Sequence, residues 1–503
     1  MKSAYLLCGL LVTLSAVTSA QTMGTVKVDV TSLGKLIPQD FEGFSIQFDP
    51  SPENLFRGKQ DSPGYVLGTA EAPNQVMYQL IKNLGAGTLR TNSGEASEPC
   101  WNSSSAPFPE ACPWPITRDI VAGYAKASAA TGWGVIVEVN LAQNDPAWAL
   151  EFGRAFVGSF RSTPGSRISG FEIGNEPDLY AGEILYGRKR VRPAGYSWRD
   201  LANEWKPYVA AFRADQETAK IPLIGPAFDS GGWTGPDLGP FLDAVGPKNL
   251  GFATVHNYAT NDCDGRVATL DELLSPSKAS AYLSEATQWV QTTETRGLHL
   301  VLGETNSVAC EGQRGLSDTF VSALWGLDWL FTNASAGMRG VYVHMNNSYY
   351  SPVFVTTYGS PDDGALHYVD TVAPMYYAMY AFSKFAEGKH LLPVDTMSKA
   401  NLAAYAVRGA EGDAVTVFIL NKDPQAEGTV TIALSKSMAQ AHLLAIAAPS
   451  LTSGDISWGG VKFDNGTGLL PREGGRTLVR PNASGAYEVS IPTASIAILT
   501  IEP

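Results

Sequence analysis

Cysteine and histidine are scarce in this chain of 503 residues, five and six respectively, and neither falls in a spacing that holds a metal. No CxxC pair and no HExxH motif occurs, which removes the common zinc frames. No GxGxxG or P-loop opens a helix, so no nucleotide cradle is indicated. Internal repeats, heptad runs and low-complexity segments are lacking too. Beyond the leader, no uncharged apolar run reaches the eighteen or so residues that suggest a membrane-spanning helix. Basic residues are outnumbered, 36 Lys and Arg against 49 Asp and Glu, for a net charge of −13. That balance argues against nucleic acid or an anionic membrane as partner. It repels an acidic sugar polymer as well, so attraction to an anionic substrate has to be local.

What is present begins with an address. Lys2, an apolar run from Tyr5 to Val17, and the small residues Ser19 and Ala20 before Gln21 predict a cleavable signal peptide over 1–20 and a secreted, extracellular protein. Cys8 leaves with it. Cys100, Cys112, Cys263 and Cys310 remain, an even number suited to an oxidising compartment. Four cysteines permit three pairings. Cys100–Cys112, closing a short Pro-rich loop, and Cys263–Cys310, past two neighbouring strand ends, are favoured. Asn102, Asn333, Asn346, Asn465 and Asn482 each open an N-x-S/T sequon and are glycosylation candidates wherever they are exposed.

From Phe41 to about Glu387 short apolar runs alternate with longer helical-period stretches, the pattern of a parallel β/α fold. Eight strands are expected, at Gly43–Phe48, Thr88–Arg90, Gly134–Val139, Ile168–Glu172, Pro222–Gly225, Ala253–His256, Leu298–Gly303 and Gly340–His344. Eight units suit a closed (β/α)8 barrel better than a doubly wound sheet, and a chain of this length leaves room for a second domain. After about Gly388 alternating strand patterns separated by Gly, Pro and Asn predict a β-sandwich. The expected division is 1–20 signal peptide, 21–40 an N-terminal strand joining the sandwich, 41–387 catalytic barrel and 388–503 sandwich.

Breaking a glycosidic bond takes two carboxyl groups, one to protonate the leaving oxygen and, in retaining enzymes, a second to attack the anomeric carbon. Barrels supply such groups from strand C-terminal ends. Glu176 follows the apolar run Ile168–Ile173 in Gly-Asn-Glu-Pro, and Glu304 ends Leu-Val-Leu-Gly-Glu. They fall on the fourth and seventh strands, and this resembles clan A glycoside hydrolases. The resemblance implies Glu176 as acid/base, Glu304 as nucleophile and Asn175 on the sugar 2-hydroxyl. It also likens His256-Asn257-Tyr258 to the clan's strand-six His-x-Tyr, with Tyr258 orienting the nucleophile. Glu176 has to cycle between protonated and ionised forms, so burial and the charge of Glu304 are expected to raise its pKa, while Glu304 stays ionised. Glu172, inside the fourth strand, is read as support.

Within the clan the chain resembles glycoside hydrolase family 79, the β-glucuronidases and heparanases. The likeness rests on Phe41-Glu42-Gly43-Phe44-Ser45-Ile46, Leu89-Arg90, Gly174-Asn175-Glu176-Pro177, His256-x-Tyr258, and Gly303-Glu304-Thr305 followed by Ser317-Asp318-Thr319-Phe320. It implies a glucuronide-containing glycan or glycoside as substrate, no cofactor and no metal. It also implies carboxylate readers on the loops after strands seven and eight: Gly312, and Tyr349 or Tyr350 with Tyr350 favoured. Gln47 sits where the family commonly has an acidic sugar contact, and Leu89-Arg90-Thr91-Asn92-Ser93-Gly94 departs from its Leu-Arg-x-Gly-Gly.

Arg188-Lys189-Arg190 and Arg192 could line an acidic subsite beyond the cleaved bond; the alternatives are a solvated loop and a protease-sensitive dibasic site. Two other functions stay open. One is a clan A enzyme on neutral sugars, such as an arabinofuranosidase, xylosidase or β-1,6-galactanase. The other is a non-catalytic carbohydrate-binding protein. Oligomeric state and exo or endo action are not legible.

Overall fold

The computed structural model describes residues 22–47, 55–62, 65–92, 100–102, 115–182, 190–359, 366–410 and 412–503. The expected signal peptide, Cys112, Arg188 and Lys189 lie outside them. No helix among the described residues is long and apolar enough to cross a membrane.

Eight parallel strands close into a barrel: Glu42–Gln47, Thr88–Asn92, Gly134–Val139, Ile168–Ile173, Leu223–Asp229, Leu250–His256, Leu300–Thr305 and Gly340–Met345, each paired with the next and the eighth with the first. We number them barrel strands one to eight. Helices cover them, among them Arg118–Thr131, Pro146–Arg161, Trp198–Ala214, Pro276–Glu294 and Phe320–Ala336. Their starts follow local chemistry. Thr117 accepts from the Ile120 N–H, and Asp145 accepts from the Ala147 and Trp148 N–H groups with Pro146 in the first turn, which satisfies donors that an uncapped helix leaves orphaned.

Beyond the barrel a sheet of four strands faces one of seven. Thr22–Val28 sits inside the smaller sheet, antiparallel to Val394–Ser398 and parallel to Gly428–Leu434, so the N-terminal strand does join the sandwich. Strand Val415–Asn421 is buried throughout, and its alternation divides two cores. Val415, Val417 and Ile419 pack between the sheets, whereas Phe418 and Leu420 belong to the barrel's own core cluster.

Helix Phe320–Ala336 is wedged at this junction, which explains why it is apolar almost all round. Phe331 stacks on Tyr405 with centroids 4.4 Å apart, and Asp328 takes the Tyr405 hydroxyl and the Lys422 ammonium, each from the sandwich. Asn333 lies on this helix fully buried, accepting from the Tyr282 hydroxyl and donating to the Trp329 carbonyl. The expectation of a glycan there is therefore corrected, because an oligosaccharide cannot be attached to a side chain packed inside the core. Asn465 and Asn482 are exposed, Asn102 and Asn346 half-buried.

The barrel floor carries a buried carboxyl, Glu42, and a half-buried one, Glu387. The Glu42 N–H donates to Glu387 Oε1 at 3.0 Å. Burial pushes both upward, aided at Glu42 by the charge of Glu387: Glu42 well above the usual range, Glu387 to about 8. A raised folded-state pKa stabilises below the unfolded value and loses that contribution as pH rises through the folded one. The unfolding midpoint should therefore fall between pH 4.5 and about 8, and Glu387→Gln should flatten that slope; an equal slope in the variant would refute the assignment.

Candidate active site

The barrel's C-terminal face gathers the expected pair. Gly174, in the left-handed region at φ +79°, ends strand four, and Glu176 follows at φ +46°. A non-glycine residue there costs about 1–2 kcal/mol. The strain is held by a hydrogen bond from the Glu176 N–H to the Ala227 carbonyl, 3.1 Å, itself on a left-handed residue of strand five. Glu304 is the fifth residue of strand seven and needs no such turn. Both are more than nine-tenths buried.

Three neighbours hold Glu304. The Tyr258 hydroxyl donates to Oε1 at 2.8 Å; Arg90 Nη1 and Ser45 Oγ donate to Oε2 at 2.9 and 3.2 Å. His344 Nδ1 stands 3.3 Å from Oε2. Burial pushes the Glu304 carboxyl upward, but His344, His256 and Arg90 more than reverse this and hold it well below the usual carboxylate range. Arg90, permanently charged, supplies the part of that effect independent of imidazole protonation.

Around Glu176 the surroundings differ. His256 Nδ1 lies 2.8 Å from Oε1. Burial lowers the His256 pKa to about 3, helped by the charges of Arg90 and His344 and opposed by Glu304, so this imidazole is neutral near pH 7. Tyr258 and Tyr350 are pushed up by burial and by the charge of Glu304, which keeps both as O–H donors.

Arg90, named in the sequence only as part of a motif, is the hub. Fully buried at the centre of strand two, it donates to Glu172 through Nε, to Ser45 and Glu304 through Nη1, and to Asn175 Oδ1 through Nη2 at 2.7 Å. Burial works against its charge, but Glu172, Glu304 and Glu138 outweigh that. Glu172 also takes the Thr254 hydroxyl at 2.6 Å, a supporting position as expected. The signal available in the sequence was a permanent charge in an expected barrel strand, which can be buried only against carboxylates. His344, near the end of apolar strand eight, carried a related signal, a titratable group among buried apolar residues.

The remaining expectations divide. Gln47 ends strand one, two residues after Ser45 and therefore on the same face nearer the mouth. Tyr350 is buried, its ring 6.2 Å from Tyr258 and 5.6 Å from His344. Tyr349 is 46% exposed, so the two neighbouring tyrosines part, Tyr350 inward and Tyr349 toward solvent. Gly312 is buried at φ +79°, and a Cβ there would meet the Tyr350 backbone nitrogen at 2.8 Å. Asn306 Nδ2 ties the two loops by donating to the carbonyls of His344 and Tyr350. Cys263 and Cys310 form a disulfide. Cys100 is also disulfide-bonded; its expected partner is outside the described residues.

Arg192 does not serve an acidic subsite. Its guanidinium is spent on Glu204 and on the carbonyls of Leu141 and Ala142; Arg190 is exposed.

Glu176, His256 and Glu304 each offer one ligand atom, all within 4.8 Å of one another. A cation among them would face the Arg90 charge and break the His256–Glu176 hydrogen bond, so the trio suits proton handling better than metal binding.

Comparison with known proteins agrees with this geometry. Residues 404–498 match the family model described as the glycosyl hydrolase family 79 C-terminal beta domain. A β-glucuronidase of Aspergillus niger is 29% identical over 204 residues, 38% of this chain and 36% of that protein. One from Neurospora crassa is 30% identical over 198 residues, 37% and 35%. The aligned stretch thus spans about a third of the length of these curated relatives. Among solved structures, a 4-O-α-L-rhamnosyl-β-D-glucuronidase from Fusarium oxysporum superposes with a TM-score of 0.72 at 16% identity, covering 94% of this chain and all of the other. A GH51 arabinofuranosidase from Xanthomonas axonopodis gives 0.68 at 13%, covering 95% and 100%. At such identities the structural likeness speaks for the fold. Residues 404–498 thus match the C-terminal β domain of glycoside hydrolase family 79, and the likeness to two β-glucuronidases over about 200 residues agrees with that family.

Proposed function

We propose that this chain is a secreted, retaining β-glycosidase that hydrolyses β-linked glucuronic acid, or its 4-O-methyl form, from a glycan or glycoside. The observation that carries the mechanism is the spacing of Glu176 and Glu304, whose facing oxygens lie within 4.8 Å. Retaining enzymes hold their carboxyl groups about 5–5.5 Å apart, whereas inverting ones leave about 6.5–9.5 Å for a water.

In this reading Glu304, kept ionised by Arg90 and Tyr258, attacks the anomeric carbon as Glu176 protonates the departing oxygen. Glu176 then takes a proton from the water that releases the sugar. Neutral His256 suits both halves of the cycle, since its Nδ1 can accept from the acid or, in the other tautomer, donate to the carboxylate. Asn175, its amide oxygen fixed by Arg90, presents its nitrogen to the sugar 2-hydroxyl.

The substrate rests on different support: the β-glucuronidase relatives, and the buried Tyr350 beside Gly312. A hydroxyl donor and a backbone amide at one end of an otherwise acidic site provide the local attraction that the net charge denies. Secretion is supported by the apolar leader in the sequence and by the disulfide.

The test is a panel of nitrophenyl β-glycosides of glucuronic acid, glucose, galactose, xylose and arabinofuranose. Release from the glucuronide alone is expected, and Tyr350→Phe should cut the preference for glucuronide over glucoside by about 10–100-fold. Release from a neutral glycoside would keep the mechanism and overturn the substrate. Silence on the panel and on acidic polysaccharides would leave a binding protein.

A further inference from the structure

We propose that the Cys263–Cys310 disulfide is a specificity device: it sets the conformation of turn 310–312 and so the affinity for an acidic sugar, without taking part in bond cleavage. The proposal rests on the glucuronide reading above.

Cys310, Glu311 and Gly312 occupy the left-handed region in succession, at φ +65°, +76° and +79°. Only the third is a glycine, so two residues sit where side chains disfavour the backbone, and a free loop of this sequence would relax. The turn is pinned on both sides. Before it, Val308–Ala309 pairs in parallel with Thr260–Asn261; after it, the Gln313 side chain accepts from the Ala268 N–H and donates to the Ala268 carbonyl. The disulfide adds a covalent pin at the first left-handed residue, joining the loop that follows Tyr258 to the loop that follows Glu304 across 47 residues of sequence.

The consequence falls on Gly312, whose backbone lies so close to Tyr350 that a Cβ would stand 2.8 Å from its nitrogen. If the left-handed run unwinds, that contact opens and the Gly312 amide and the Tyr350 ring no longer converge on one anionic group. The cleavage machinery is anchored elsewhere: Glu304, Arg90 and His256 lie on barrel strands, and Glu176 is held by strand five. Loss of the pin should therefore appear in binding.

The experiment compares wild type with Cys263→Ser/Cys310→Ser on nitrophenyl β-glucuronide, with circular dichroism as the check of fold. The expected result is a rise in KM of about tenfold with kcat held within about twofold. Adding Glu311→Gly to the serine pair should restore much of the lost affinity, because glycine accepts the left-handed backbone without a covalent restraint. A disulfide that only stabilises the fold would leave KM unchanged in the folded variant, or would lower kcat alongside it with no recovery from the glycine, and either result overturns the proposal. Should the serine pair not fold, wild type reduced with dithiothreitol and alkylated is measured in the same way. A wild-type enzyme that ignores the glucuronide but cleaves a neutral glycoside removes the substrate reading itself, and this proposal with it; a glucuronidase whose KM is indifferent to the disulfide removes only the proposal.

Discussion

Glu304→Ala is expected to lower turnover of a nitrophenyl glycoside by about 10⁴-fold or more, and azide should restore part of it by forming a glycosyl azide of α configuration. The small anion fits the space left by the carboxylate and attacks the face opposite the leaving group, so the centre inverts once. Glu176→Ala should behave differently. Nitrophenolate leaves without a proton, so the glycosyl-enzyme still forms on Glu304; azide then intercepts it and gives the β product after two inversions. Cleavage of an alkyl glycoside, whose leaving group needs the proton, should fall far more steeply in this variant. Nuclear magnetic resonance of the two azides is the measurement. Identical anomers from both variants would contradict the assignment of roles, and loss of activity without rescue in either would contradict the double displacement.

Arg90→Met carries the second large effect, and it is twofold. Removing the cation leaves Glu172, Glu138 and Glu304 around a cavity with no permanent charge to oppose them, and breaking a buried pair in this way costs about 3–5 kcal/mol. Denaturant unfolding should register that loss. In whatever fraction stays folded, the pKa of Glu304 rises. Only ionised Glu304 attacks, and it is ionised above its pKa, so the acidic limb of kcat/KM should move to higher pH. Arg90→Lys separates the two effects: a lysine keeps a charge but cannot reach Glu172, Ser45, Glu304 and Asn175 at once. It should recover most of the stability while kcat stays depressed, since Asn175 loses the partner that orients it. An acidic limb unmoved in Arg90→Met would show that Tyr258 and His344 alone set the ionisation of Glu304.

Much of the frame was legible because it depends on local periodicity. Alternating apolar runs and helical stretches placed the eight barrel strands, and the left-handed turn into Glu176 was foreshadowed by Gly174 before Asn175-Glu176-Pro177. Helix Phe320–Ala336 starts without a side-chain cap of its own; its Phe320 and Val321 N–H groups donate instead to the carbonyls of Ser453 and Leu451 in the sandwich. Asn333 read as a surface sequon because a sequon is a property of three residues, whereas its burial is a property of the domain junction.

The sequence by itself determined the barrel, the sandwich and the two glutamates, since a strand's period and the residue at its end are local facts. Only the tertiary structure decided the electrostatics: that Arg90 and His344 both converge on Glu304, that His256 serves Glu176, that Tyr350 is turned inward and Tyr349 outward, and that Arg192 is already paired. Charge, burial and proximity all fall off with distance in space rather than along the chain. Residues such as Arg90 and Glu304, 214 positions apart, acquire their chemistry only when the barrel closes.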